Sequence, residues 1–305
     1  IPIQPTVELL FCRKDLFADA GLDLPETTTD LLNAARTLHG ARRGVSSIVM
    51  NFGRGTPAAH SFIQTLADFG SPIIDLTPTE DGYDVEKITG ENFRPLINTE
   101  TAREALEFLK EINQFAHPDS MRCDWDRRIA IFSEGAAAMT YGWSIRASKF
   151  ELDPASPAHG NVEFMRHPAK PGVPRISPVG GFVLALPASL DEERTAIGWK
   201  VMEYLTRPEL MKLYVQNGNL TSPRYSTSAD PEVQSFSSII HTVDQLEQQG
   251  DLKIWPRPPI PEFSDLVAIL GKEVHTALQG TKTVAAALAD AQNQADVLMR
   301  ENGRY

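Results

Sequence analysis

Cysteine is nearly absent from this chain: Cys12 and Cys123 are the only two in 305 residues, and they stand far apart. Neither metal-ligand nor redox spacing is present. Two separate buried thiols behaving as small hydrophobes is the ordinary reading, a disulfide between them stays open, and the count does not fix the compartment. Basic charge is also short, with 29 Lys and Arg against 40 Asp and Glu and a formal net charge of −11. That balance repels phosphate backbones and anionic head groups, so nucleic acid is set aside as a partner. No run approaches the roughly 20 apolar residues needed to cross a bilayer. The opening IPIQPTVELLF lacks a basic region followed by an apolar one, so it is not expected to be a signal peptide.

Catalytic patterns are missing too. The seven histidines form no H-E-x-x-H or comparable pair, and there is no G-x-x-x-x-G-K-[ST] loop, so neither a metal nor a bound nucleotide triphosphate is expected. Ser144 follows Gly142, but Arg146 occupies the last place of G-x-S-x-G, which removes the strongest hydrolase cue. Internal repeats and low-complexity runs are absent.

What is there reads as α/β. The length exceeds one ordinary domain, and a hydrophobic content of 42% supports two compact lobes. TTTDLLNAARTLHG (27–40) opens on a Thr27–Asp30 capping box and stops at Gly40. GVSSIVMNF (44–52) suits a buried strand and PAAHSFIQTLADFG (57–70) a helix. TAREALEFLKEINQF (101–115) is the clearest amphipathic helix, with a Thr101–Glu104 capping box. DWDRRIAIFSEG (124–135) places Trp125, Ile129 and Phe132 on one helical face. AAAMTYG (136–142) is a buried strand from whose end Tyr141 to Ser144 emerge. GGFVLALPASL (180–190) is a second buried-strand candidate, followed by a helix capped by Ser189 with Glu192. Thr206 caps a helix over 206–219, WPRPPIPEF (255–263) is a stiff connector because its prolines lack N–H donors, and 283–299 is a last helix. Alternation of strands and helices predicts largely parallel sheets.

One turn resembles a cofactor site. In GRGTPA, Gly53, Gly55 and Ala58 match G-x-G-x-x-G/A between a predicted strand and a predicted helix, and Asp75 follows where a ribose-binding acid would lie. Pro57 removes an amide donor and Arg54 adds bulk, so a plain strand-to-helix turn is the competing reading. A NAD-dependent oxidoreductase is therefore kept as the alternative function.

Aromatic and polar groups at predicted strand ends make a second candidate site. Tyr141, Trp143 and Ser144 end one strand, Phe182 follows Gly180 and Gly181, Arg224 lies in NLTSPRYS, and Asn51 and Arg54 flank the glycine turn. Rings cover the C–H faces of an uncharged polyhydroxylated ligand while Arg, Asn and Ser supply directed hydrogen bonds. Taken alone, a Trp or Phe at a strand end is better explained as packed core.

Several segments, in this order, resemble the family 1 extracellular solute-binding proteins of ABC importers, the class that includes maltose-binding protein. They are LLFCRKDLFADAGLDLPETTTDLLNAA, ALEFLKEI, IFSEGAAAMTYGWS, PVGGFVLALPAS, AIGWKVMEYLTRPELMKLYVQNGNLTSPRYS and ALADAQNQADVLM, spanning nearly the whole chain. The resemblance implies a two-lobe periplasmic-binding-protein fold of type II, with hinge crossovers and a ligand enclosed between the lobes. It implies that 1–178 form the main part of the second lobe. Residues 179–250 would form the remaining part of the first, and 251–305 a return crossover with C-terminal helices on the second. Family members carry about a hundred further residues before this start, a small domain's worth, together with a secretion signal, so the first lobe is expected to be incomplete. Cys12 stands where the family usually has Tyr, and Phe182 where Trp is common.

The function so implied is a substrate-binding component, not an enzyme and without a cofactor. It would be a periplasmic monomer that delivers a sugar, oligosaccharide or polyol to ABC permease subunits in the inner membrane. The residues expected to hold the ligand are Trp143, Tyr141, Ser144, Arg54, Asn51, Gly181, Phe182 and Arg224. A carbohydrate-binding protein outside transport is a further alternative.

Overall fold

The first strand is one the sequence periodicity does not announce. In the computed structural model, which describes residues 1–305, β1 (Pro2–Arg13) runs through the middle of the main sheet. Its side chains feed two cores: Leu10 and Cys12 enter one, while Val7, Leu9 and Phe11 enter the other. Burial on both faces explains why VELLFC is a nearly continuous apolar run instead of an alternating one.

The chain continues through α1 (Lys14–Ala20), α2 (Thr28–Leu38), β2 (Ser46–Val49), α3 (Thr56–Asp68) and a small hairpin of β3 (Pro78–Thr79) and β4 (Gly82–Tyr83). Next come α4 (Glu100–Ile112), α5 (Trp125–Ser133), β5 (Ala137–Trp143), α6 (Ser148–Glu151), β6 (Val162–Met165) and β7 (Ser177–Val183). The last part holds α7 (Glu192–Leu205), α8 (Pro208–Gln216), α9 (Tyr225–Ser228), α10 (Pro231–Gln234), α11 (Ser238–Gln248), β8 (Leu252–Lys253), α12 (Phe263–Leu278) and α13 (Val284–Glu301). No helix is long and apolar enough to cross a membrane.

The main sheet has the order β2-β5-β1-β7-β8, with β6 also paired to β1. It is mixed, which corrects the expectation of largely parallel pairing. β2 with β5 and β7 with β8 are parallel, but β1 is antiparallel to β5, β6 and β7. The reason lies in β1's length. Its residues 8–12 pair with β5, whereas residues 2–7 extend beyond and pair with β7, so one strand serves both ends of the sheet. Helices α3, α4, α12 and α13 cover one face through a core that includes Phe62, Leu106, Leu270 and Leu288. On the other face Phe11 meets the rings of Phe150 and Phe164 at 5.8 and 5.0 Å, and Val215, Leu220, Ile239 and Leu246 join the same core. Residues from α8 to α11 thus share a core with β1 and α5.

Caps show where local pattern decides and where it does not. Thr27 and Asp30 form the expected box: Thr27 Oγ1 accepts from the Asp30 amide at 3.1 Å, and Asp30 Oδ2 accepts from the Thr27 amide at 2.9 Å. The expected Thr101–Glu104 box is replaced by Thr99, whose hydroxyl accepts from the Ala102 amide. Asp191, not Ser189, caps α7 by accepting from the Arg194 amide. Thr206 donates its hydroxyl to the Met202 carbonyl, so it closes α7 instead of opening α8.

The GRGTPA turn serves packing. The Gly53 amide donates to the Cys123 carbonyl and the Gly55 amide to Gly271, so neither is available to a pyrophosphate. Asp75 is exposed at the surface. The dinucleotide reading of Gly53, Gly55 and Ala58 is corrected on that ground. Cys12 and Cys123 are both buried free thiols.

Candidate functional site

Trp143 is the last residue of β5 and faces Glu8 across the β1–β5 ladder. It is mostly covered, yet one side of its indole lines a cleft of about 510 Å³. The floor of this cleft is made where β1 meets β7, from Thr6, Gly181 and Phe182. Phe182 is 58% exposed, which leaves its ring free to meet something outside the fold. His60 and Trp125 form one wall with ring centroids 5.6 Å apart, and residues following Trp143 form another.

Arg257, in the proline-rich segment, completes the enclosure. Its guanidinium carbon lies 5.6 Å from the Trp143 ring centroid and 6.0 Å from that of Phe263. Glycine is needed opposite: a Cβ at Gly180 would come within 3.1 Å of Arg257 Nη1 and 3.7 Å of Trp143 Cζ3, so the bare backbone lets both side chains approach β7. At Gly181 the same addition would meet the Gln4 carbonyl oxygen at 2.8 Å, which keeps β7 tight against β1. The proline-rich stretch suits its task, since fixed φ angles hold Arg257 without a flanking helix or strand.

Electrostatics in the cleft follow from burial. Burial, reinforced by the Arg257 charge, pushes His60 down to about 4, so its imidazole is neutral at physiological pH. Burial also lowers Arg257, with Glu8 opposing, and lowers Arg146, with Asp124 opposing; guanidinium groups remain charged under such shifts. The cleft therefore pairs aromatic faces with fixed positive donors.

Three of the expected ligand residues, Trp143, Gly181 and Phe182, come together here. The others do not line the cleft. Asn51 is buried, and its Oδ1 accepts from Arg128 Nη1 at 2.6 Å and from Ser61 Oγ at 2.9 Å. Ser144 is fully buried and its Oγ accepts from the Val7 amide at 3.1 Å. Tyr141 packs its ring 4.7 Å from His167, and burial, then the nearby Asp68 charge, holds its phenol well above the usual range. Arg54 is exposed at the start of α3. Arg224 donates through Nε to the Thr206 carbonyl at 2.7 Å, bracing the end of α7. Thr6, His60, Trp125 and Arg257 went unread in the sequence as site residues. The available signals were a Trp in a helix's first turn and a lone cation inside a run of prolines.

Comparison with known proteins agrees with this architecture. A solved ABC transporter solute-binding protein from Agrobacterium radiobacter, in complex with ribitol, superposes with a TM-score of 0.84 at 28% identity. The match covers 98% of this chain and 71% of that one. Maltose-bound MalE3 of T. maritima gives 0.82 at 22% identity, with 98% and 72% covered. The Agrobacterium vitis solute-binding protein with bound D-mannitol gives 0.80 at 21%, with 99% and 73% covered. The latter two likenesses establish the fold. Residues 1–212 match the family described as bacterial extracellular solute-binding protein, and the chain belongs to that family.

Proposed function

We propose that this chain binds a sugar, oligosaccharide or polyol in the cleft between β5, β7 and the proline-rich segment, and releases it unchanged to an ABC permease. The observation that carries the reading is the placement of Trp143 and Phe182 on an open cleft where β1 and β7 run side by side. An aromatic face covers the C–H surface of a polyhydroxylated ring or chain, and a mostly covered Trp held rigidly by β5 pays little entropy to do so. The Agrobacterium radiobacter relative with bound ribitol supports a polyhydroxylated ligand, and membership of an extracellular family supports action in the periplasm or outside the cell. The antiparallel strands β1 and β7 at the base of the cleft would serve as a hinge, so ligand contacts on both sides would favour closure.

The test is a titration with a sugar and polyol panel, with NAD(H) in parallel, following Trp fluorescence and melting temperature. A ligand at about 100 times its Kd contributes roughly 2.7 kcal/mol, which raises the melting temperature by several degrees. Trp143→Ala is expected to abolish that rise in addition to costing about 3 kcal/mol or more of stability. Stabilisation by NAD(H) alone, with every carbohydrate silent, would overturn the proposal.

A further inference from the structure

We propose that the ligand of this cleft is not a neutral sugar but a polyhydroxylated compound bearing an anionic group, a carboxylate or a phosphate; the proposal rests on the carbohydrate reading above and narrows it. The chain as a whole is acidic, with 40 Asp and Glu against 29 Lys and Arg. Yet the residues lining the cleft include Arg146, Lys149 and Arg257 and no Asp or Glu. In a protein with this surplus of carboxylates, a cleft free of them and bearing three cations is a local inversion of charge.

The pairing of these cations sharpens the point. Arg146 is neutralised by Asp126, itself largely exposed. Lys149 is exposed and makes no ion pair. Arg257 is half-buried, and its guanidinium makes neither an ion pair nor a hydrogen bond to any protein acceptor. The carboxylate that acts on it, Glu8, is fully buried and bonded to Arg128 at 3.1 Å. His60 beside it is neutral, so it does not repel an incoming anion. A half-buried guanidinium whose carbon lies within 6.0 Å of the Trp143 and Phe263 ring centroids, with no protein acceptor on its N–H groups, has those donors free, and its planar fork matches a carboxylate or phosphate. The same Trp143 ring that stacks on a sugar thus adjoins the group that would hold a charge attached to it.

Calorimetry and thermal melting of this chain with matched pairs provide the test: ribitol against ribonate, galactose against galacturonate, and glucose against glucose 6-phosphate. Inorganic phosphate and acetate serve as bare-anion controls. An anionic member is expected to bind at least about tenfold tighter than its neutral partner, as a charged hydrogen bond allows, and to weaken as NaCl is raised. The carboxylate and phosphate arms show which group is preferred. Arg257→Gln is expected to remove that preference, and Lys149→Gln to reduce it several-fold with the melting temperature unchanged. Should Arg257→Gln fail to fold, Lys149→Gln and the salt series decide. Neutral members binding as well as their anionic partners, with no salt dependence, would overturn the proposal and leave carbohydrate binding standing. Bare anions binding as tightly as the sugar acids would also overturn it. Silence of every pair would overturn both readings.

Discussion

Asn51, held by the buried Arg128–Glu8 pair, shows how a single polar residue can be misread when its partner is distant in sequence. Arg128 Nη2 donates to Glu8 Oε1 at 3.1 Å and its Nη1 to Asn51, with both charged side chains almost wholly buried and Glu8 opposite Trp143 in the β1–β5 ladder. Removing one charge strands the other in a low-dielectric interior, whereas removing both leaves a neutral site. Arg128→Met is therefore expected to destabilise by about 3–5 kcal/mol, and Glu8→Gln/Arg128→Met to recover most of the loss, measured by urea unfolding. A wild-type midpoint for Arg128→Met alone would contradict this. Asn51, Ser144 and Tyr141 read as ligand contacts because polar groups at strand ends commonly are. Their true partners, Arg128, Val7 and His167, come from other elements and only the fold brings them together. Trp143 was legible through the family pattern around YGWS. Arg257 was not, since nothing local distinguishes a cation in a proline-rich connector from a solvated one.

At the scale of elements, the crossing of α3 and α12 turns on two glycines. Gly55 sits at φ +91° before α3, and a Cβ at Gly271 in α12 would fall 2.3 Å from the Gly55 carbonyl oxygen. Alanine in a helix interior normally stabilises by about 1 kcal/mol relative to glycine. Here the contact is backbone, which cannot move aside as a side chain would, so Gly271→Ala should reverse that sign. A loss of about 1–3 kcal/mol in thermal unfolding is expected; a gain would refute the packing role given to GRGTPA. The motif was legible as a tight turn, and its purpose was not, because Gly271 lies far along the chain. Helices with a strong stripe, such as α4 and α13, were readable, and their caps only in part. Thr99 and Thr101 are both acceptable caps locally, and the backbone bend at Thr99 chooses between them. The long β1 was missed because Pro2, Pro5 and the buried Glu8 interrupt any simple alternation.

Across the whole molecule, the distribution of apolar surface sets α7 apart. Only Met202 of this helix is buried, while Ile197, Trp199, Val201 and Tyr204 are each about half exposed, at 54%, 48%, 52% and 55%. Phe182 and Val183 on β7 and Leu213 on α8 add to the exposed apolar area. Exposed apolar side chains in this number favour association, and the formal net charge of −11 opposes it through long-range repulsion. The two effects differ in their response to salt: repulsion between exposed charges is screened with a Debye length of about 8 Å at physiological ionic strength, and apolar contact is not. Sedimentation of this chain is therefore expected to show a mass that rises with protein concentration and rises further as NaCl is added, accompanied by binding of an apolar fluorescent dye. The triple variant Ile197→Gln, Val201→Gln, Tyr204→Gln should stay monomeric under the same conditions. Its melting temperature should remain within a few degrees of the parent, because surface substitutions of this kind change stability by only about 0.5 kcal/mol each. A parent chain that remains monomeric at every salt and protein concentration, including where the charge repulsion is screened, would refute association through the apolar face of α7.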